Sequence, residues 1–189
     1  EDERDLSPYP NEAVSQAIRD FVAKGNMAFI CTGRTLSCIH PKLLELPWTG
    51  IVCLAGGYVE LEGRVIRDLA MTPGMLQRLA PILEQSDEVI RFEGLNGVVR
   101  MSADAPDAPG YARTVCDAIT QLQHYSAYKI LMSTSLANRI AQDQAFEPLL
   151  CFNELELEVT EISPRECTKR EGIQSVLDAL DPNHGTVYG

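Results

Sequence analysis

The sequence predicts an α/β protein built on a parallel sheet, into which a separate α+β unit is inserted. Three observations carry that reading. Two short apolar runs, 27–31 and 51–55, each follow a helix-period segment and stop at turns rich in hydroxyls or glycine. The middle of the chain then changes to hairpin spacing. Near the end a capped amphipathic helix returns and leads into another short apolar run.

Taken in order, PNEAVSQAIRDFVAKG (10–25) places Ala13, Val14, Ala17, Ile18, Phe21 and Val22 on one helical face, with Pro10 opening the helix and Gly25 closing it. The strand MAFIC (27–31) follows at once. Leu36, Ile39, Leu43, Leu44 and Leu46 form a second amphipathic stretch that Pro41 interrupts. Ile51 to Ala55 is the next strand and ends in Gly56-Gly57. Tyr58–Leu61 and Arg64–Ile66 flank Glu62-Gly63 as a hairpin. Helical spacing resumes at Met75, Leu79 and Leu83, and a second hairpin spans Val89 to Met101 across Gly94-Leu95-Asn96-Gly97. SADAPDAPG (102–110) is a loop by composition. A helix at 111–122, a strand at 128–133, a helix at 138–146 and the alternating strand LELEVTEI (155–162) complete the inserted region. Thr168 and Glu171 form a T-x-x-E capping box, so a helix begins at Lys169, with Ile173, Val176, Leu177 and Leu180 on its apolar face. DPNHG then turns into a strand at 186–189. The expected division is a core from 1–58 and 156–189, with the α+β unit at 59–155.

Composition narrows the function classes. The chain has 189 residues, 45% apolar and 23% charged, which is enough to bury a real core. Its net charge of −11 argues against nucleic acid and anionic membranes as partners. No apolar run approaches the roughly 20 residues needed to span a bilayer, and no signal peptide is visible. Six scattered cysteines show neither C-x-x-C spacing nor a His/Cys cluster. Most adjoin apolar residues, so buried, reduced thiols and a cytoplasmic setting are expected.

In an open parallel sheet, ligands bind beyond the carboxyl ends of the strands. There the turn Cys31-Thr32-Gly33-Arg34-Thr35 offers a hydroxyl, freed backbone N–H groups and a cation, which suits an anion and phosphate first. Gly56 and Gly57 let a ligand or loop approach the next strand end closely. Lys169 stands in the first helical turn, where a cation opposes the helix dipole unless an anion lies between them. Taken alone, Thr32 also suits a turn or N-cap, and Arg34 and Lys169 also suit a solvated surface. His40, His124 and His184 are isolated, and Asp5 with the other N-terminal carboxylates reads as a solvated tail. Arg91, Glu93 and Asn96, on the second hairpin, are candidates for substrate contact from the inserted unit.

The strings FICTGRTLSCIHPKLLEL, GIVCLAGGYVELEGRVI and ELEVTEISPRECTKREGIQSVLDAL, in this order and spacing, resemble the haloacid dehalogenase-like hydrolases, specifically the Cof-type branch. The resemblance implies a Rossmann-like core closed by a mobile α+β cap. It also implies a magnesium-dependent phosphatase acting on a small phosphorylated metabolite through an aspartyl-phosphate. Thr32 matches the strand-end hydroxyl that positions phosphate oxygens, and Lys169 matches the lysine that neutralises phosphate and nucleophile. Both are thus expected to be catalytic, with Thr32, Gly33, Arg34, Gly56 and Lys169 binding the phosphate. Two features depart from the family pattern. No D-x-D-x-T occurs, although EDERDLSP reads like the segment that follows it, and no acidic pair follows Val187-Tyr188-Gly189. The chain is therefore expected to be part of a longer one, and by itself to bind no magnesium tightly and hydrolyse no phosphate ester. Ala55 also stands where the branch often has asparagine. A non-catalytic phosphate-binding protein on the same scaffold is the main alternative, and a phosphoryl mutase is another. A nucleotide-binding domain finds no G-x-G-x-x-G or Walker motif here.

Overall fold

The computed structural model describes residues 9–122, 124, 126–180 and 185–188. Residues 1–8 with Asp5, residues 181–184 with His184, and Gly189 lie outside them. Helix α1 (Glu12–Ala23) starts at Asn11, whose Oδ1 accepts from the Val14 N–H, and it stops before Gly25 at φ 84°. Its apolar stripe is poorly covered, with Val14 and Phe21 nearly half exposed. Phe21 instead borders an apolar groove of about 500 Å³ beside Phe29, Ile173, Leu177 and Leu180.

Strand β1 (Phe29–Cys31) pairs in parallel with β2 (Gly50–Cys53). The stretch between them is two short turns rather than one helix. A 3-10 turn spans Leu36–Cys38, and Pro41 opens α2 (Pro41–Leu44), which His40 caps through Nδ1. The hairpin β3 (Tyr58–Leu61) and β4 (Arg64–Asp68) then extends the same sheet antiparallel, giving the order β1-β2-β3-β4.

A second sheet contains β5 (Ile90–Gly94), β6 (Gly97–Met101), β7 (Tyr111–Ala112), β8 (Lys129–Ser133), β9 (Leu150–Glu154) and β10 (Val159–Pro164), in the order β7-β6-β5-β8-β10-β9. Helices α3 (Pro73–Leu83), α4 (Val115–Thr120) and α5 (Thr134–Ala141) belong to the same unit. Their apolar residues join one face of the sheet in the larger core, around Leu79, Leu83, Ile90, Phe92, Ile130, Leu136, Ile140 and Ile162. At about 1.5–3 kcal/mol for each fully buried large side chain, this unit holds most of the apolar stabilisation. Helix α6 (Lys169–Ala179) packs on β2, β3 and β4, with Val176 against Val52, Val59 and Leu61.

Several sequence expectations need correction. The first hairpin belongs to the first sheet, so that sheet runs to Asp68 and not to residue 58. Residues 159–164 belong to the second sheet, which therefore extends past 155. A hairpin carries the same period-2 pattern whichever sheet it joins, so spacing alone does not assign it. The alternating LELEVTEI is not one strand. Residues 155–158 form a turn with Leu157 and Glu158 at positive φ, and β9 precedes it. Helices α4 and α5 are shorter than expected or displaced, and residues 186–188 form no strand. Cys53 and Cys167 are buried, but Cys31, Cys38 and Cys116 are exposed, because apolar sequence neighbours do not determine which way a side chain points. Among the described residues no helix is long and apolar enough to cross a membrane.

Candidate functional site

The carboxyl ends of β1 and β2 are joined by backbone hydrogen bonds. The Thr32 N–H continues the parallel ladder to the Val52 carbonyl at 2.8 Å. Leu54 and Ala55 donate back to the carbonyls of Arg34 and Thr32, at 3.0 and 3.3 Å. The Thr32 hydroxyl accepts from the Arg34 N–H at 3.1 Å, which folds the loop tightly and leaves the hydroxyl proton free to donate. Beyond β2, Leu54, Ala55 and Gly56 take φ values of 51°, 55° and 94°. Two consecutive non-glycine residues in the left-handed region are costly and persist only where the surroundings enforce them, as at ligand sites.

Helix α6 enforces this turn. A side chain at Gly56 would collide with the Thr168 carbonyl, and a Cβ at Gly172 would lie 2.7 Å from Val52 Cγ1 and 2.8 Å from Gly56 Cα. The two glycines thus bring the start of α6 against the strand-end turn. Arg67 on β4 locks the arrangement, donating to the Gly56 carbonyl at 3.0 Å, the Glu166 carbonyl at 2.7 Å and Ser175 Oγ at 3.4 Å. Thr168 caps the helix by accepting from the Glu171 N–H at 3.2 Å. The reciprocal half of the expected capping box is not made, since the Thr168 N–H goes to the Glu166 carbonyl.

Lys169 is the first helical residue and is exposed. Among the described residues its ammonium forms no ion pair, and neither does the Arg34 guanidinium. Burial pushes the Cys31 thiol up, partly offset by the positive charge of Lys169, which places that charge near the end of β1. Thr32, Gly33, Arg34, Gly56 and Lys169, far apart in sequence, therefore gather at one edge of the first sheet. Thr32 and Lys169 line neither the apolar groove nor the polar cleft described next.

That cleft, of about 440 Å³, lies between the 33–35 loop and the open face of the second sheet. Its sheet side carries Arg91, Glu93, Lys129, Leu131 and Glu161. Cross-strand register explains the set. Arg91 and Glu161 both pair with Leu131, and Glu93 pairs with Lys129, while the intervening Phe92, Ile130 and Ile162 point into the core. Lys129 is 4% exposed and donates to Glu161 Oε2 at 2.6 Å and to the Gly33 carbonyl at 2.7 Å, with Glu93 Oε2 at 3.0 Å. Arg91 holds the other oxygen of Glu93. The lysine thus ties the second sheet to the candidate anion loop, and the Leu36 N–H adds a bond to the Leu95 carbonyl at 3.1 Å.

Arg91 and Glu93, candidates on sequence grounds, do line the cleft, whereas Asn96 sits in the β5–β6 turn and does not. Lys129 and Glu161 escaped sequence reading. The available signal was a charge interrupting each apolar strand, in KILMS and in VTEIS. His40 serves as a helix cap, stacked at 4.5 Å on Tyr9. As for magnesium, no group of three or more His, Cys, Asp or Glu among the described residues could hold a metal ion. The donors near Thr32 and Lys169, hydroxyl, backbone amide and ammonium, do not fit one.

Comparison with known proteins bears on the fold and the family. The family model described as haloacid dehalogenase-like hydrolase matches residues 7–188. No curated protein matches by sequence. Among solved structures, the chain is similar to the subclass IIB sugar phosphatase BT4131, with a TM-score of 0.67 at 14% identity, covering 89% of this chain and 68% of that one. A haloacid dehalogenase-like hydrolase from Bacteroides thetaiotaomicron gives a TM-score of 0.68 at 12% identity, covering 89% and 70%. A hypothetical protein from Geobacillus kaustophilus gives 0.69 at 18% identity, covering 93% and 71%. On the family match across nearly its whole length, the chain belongs to the haloacid dehalogenase-like hydrolases, as its resemblance to the Cof-type branch implied.

Proposed function

We propose that this chain carries the phosphate-binding site of a phosphatase that acts on a small phosphorylated metabolite. The observation behind this reading is the meeting of the Thr32 loop, the left-handed turn at Gly56 and the start of α6 at one sheet edge. Beside them stand two cations that form no ion pair among the described residues. In that arrangement the Thr32 hydroxyl, oriented by the Arg34 N–H, and the Gly33 backbone N–H donate to phosphate oxygens. The α6 terminus and Lys169 supply positive charge that strengthens as charge builds on the transferring group. Gly56 leaves room for the phosphate and for α6 at once. The family in general uses magnesium and an aspartate nucleophile. The D-x-D-x-T string that would supply that nucleophile has no counterpart in this sequence. The free cysteines favour a reducing, cytoplasmic setting.

The test has two parts. Inorganic phosphate titrated into the ¹⁵N-labelled chain should shift the amides of Thr32, Gly33 and Lys169, and Lys169→Ala should weaken this binding at least about tenfold. Phosphate release from a panel of phosphomonoesters, with and without magnesium, reads the chemistry. In any active form, Lys169→Ala should lower turnover on the order of 10²-fold or more. Phosphate binding with no release under any condition would favour the non-catalytic alternative. Unchanged phosphate affinity in Lys169→Ala would make that lysine a surface residue.

A further inference from the structure

The carbonyls of the 32–34 loop are held from two different sheets. The turn after β2 holds two of them, with the Ala55 N–H on the Thr32 carbonyl at 3.3 Å and the Leu54 N–H on the Arg34 carbonyl at 3.0 Å. The Gly33 carbonyl between them accepts from Lys129 Nζ at 2.7 Å, a residue of the second sheet. Gly33 has no side chain to restrain its backbone, and a Cβ there would meet nothing within 4 Å. Within the first sheet, among the described residues, the 33–34 peptide has only its own N–H bond to Thr32 Oγ1.

That peptide unit is planar and trans, so its carbonyl and its N–H point in opposite directions. A lysine that holds the Gly33 oxygen therefore also aims the Arg34 N–H, which donates to Thr32 Oγ1 at 3.1 Å. The bond occupies a lone pair of the hydroxyl and leaves its proton to donate elsewhere. An ammonium on the carbonyl also polarises the peptide and strengthens the donor at its other end.

Lys129 has one geometry in which to do this. It is 4% exposed, and Glu161 Oε2 at 2.6 Å and Glu93 Oε2 at 3.0 Å take its other two protons. Arg91 holds the second oxygen of Glu93. A solvated lysine would swing its flexible stem among several acceptors, whereas this one is pinned by its own sheet. The two cations and two carboxylates of the cluster cancel in charge, so its effect on an anion comes through the Gly33 peptide and not as a long-range field.

We propose that Lys129 is a positioning residue for phosphate binding, orienting the Thr32 hydroxyl through the 33–34 peptide. This rests on the phosphate reading above and adds to it a contribution from the second sheet.

The test is a double-substitution cycle read by titrating inorganic phosphate into the ¹⁵N-labelled chain. Glu161→Gln is the reference, because adding Lys129→Met to it leaves the Arg91–Glu93 pair and no uncompensated charge. The two sheets keep other bonds, from the Leu36 N–H to the Leu95 carbonyl at 3.1 Å and from the Tyr128 hydroxyl to Asp68 Oδ1 at 2.7 Å. Adding Lys129→Met should weaken phosphate binding at least about tenfold while Thr32 is present, and less than about twofold once Thr32→Val has removed the hydroxyl. A purely structural lysine would lower affinity equally in both backgrounds. In the unaltered chain, which needs no variant to fold, a scalar coupling should link the Lys129 ammonium nitrogen to the Gly33 carbonyl carbon. An equal loss in both backgrounds, no loss in either, or no such coupling overturns the positioning role and leaves the phosphate site standing. No phosphate binding by the unaltered chain rejects both.

Discussion

Replacing Gly56 with alanine separates backbone strain from close packing, because a second glycine serves as its control. Gly63, in the β3–β4 turn, has φ 73°, and a Cβ placed there would meet nothing within 4 Å. Alanine at that position meets only the conformational cost, about 1–2 kcal/mol, reduced by about 0.4–1 kcal/mol because the unfolded chain loses freedom. The expected net loss at Gly63 is about 1 kcal/mol or less. Gly56 has φ 94°, and its Cβ would collide with the Thr168 carbonyl, a backbone atom that no rotamer change can move aside. Forcing α6 outward adds the about 1–3 kcal/mol typical of overpacking, for a total of roughly 2–4 kcal/mol. For a chain of this length that is a fall in Tm of about 4–16 °C. Urea unfolding of the parent, Gly56→Ala and Gly63→Ala measures the difference. Inorganic phosphate binding should weaken only in Gly56→Ala, because only that substitution displaces Lys169. Equal destabilisation by the two alanines would show that α6 does not press on the turn, and would remove the argument that the turn and Lys169 form one site.

Arg67→Met should cost about 2–3 kcal/mol by removing charge-assisted bonds to the Gly56 and Glu166 carbonyls, and it should also weaken phosphate binding. Wild-type phosphate affinity in that variant would show that Arg67 is structural only. With a thiol reagent near pH 8, exposed Cys31, Cys38 and Cys116 should react in the folded chain, while Cys53 and Cys167 should react only on unfolding; fast labelling of either buried thiol would contradict their packing. Burial pushes both of those thiols up to about 12. An unfolded thiol ionises near 9, so above that pH the unfolded chain holds fewer protons than the folded one, and stability should fall from about pH 9 towards 12. A Cys53→Ala, Cys167→Ala double variant should lose less stability over that range in urea melts; an unchanged slope would assign the effect to other groups.

Local chemistry was legible in the sequence because it acts within a few residues. Thr168 caps α6 through the N–H three positions on, and Gly25 ends α1 because it accepts a positive φ, whereas the start of α1 fell to Asn11 and not to Pro10. The Thr32 loop was recognisable because a hydroxyl, a glycine and a cation follow a short apolar run. Arg91 and Glu93 stood out as charges on a hairpin. Even the likeness to the family rested on such local strings in their order.

Pairing between distant segments was not legible. Hairpin 58–68 and strand 159–164 have the alternation of any half-buried strand, and only their hydrogen-bonded neighbours assign one to the first sheet and the other to the second. The coverage of α1 was hidden for the same reason, since an amphipathic pattern states that a face is apolar and not what lies against it. The buried cluster is the sharpest case. Lys129 meets Glu161 from 32 residues away and Gly33 from 96, and each charge alone reads as a solvated strand residue. Burial makes them one unit, because ions removed from water persist only where the fold brings their partners within hydrogen-bonding distance, and that distance is a property of the tertiary structure alone.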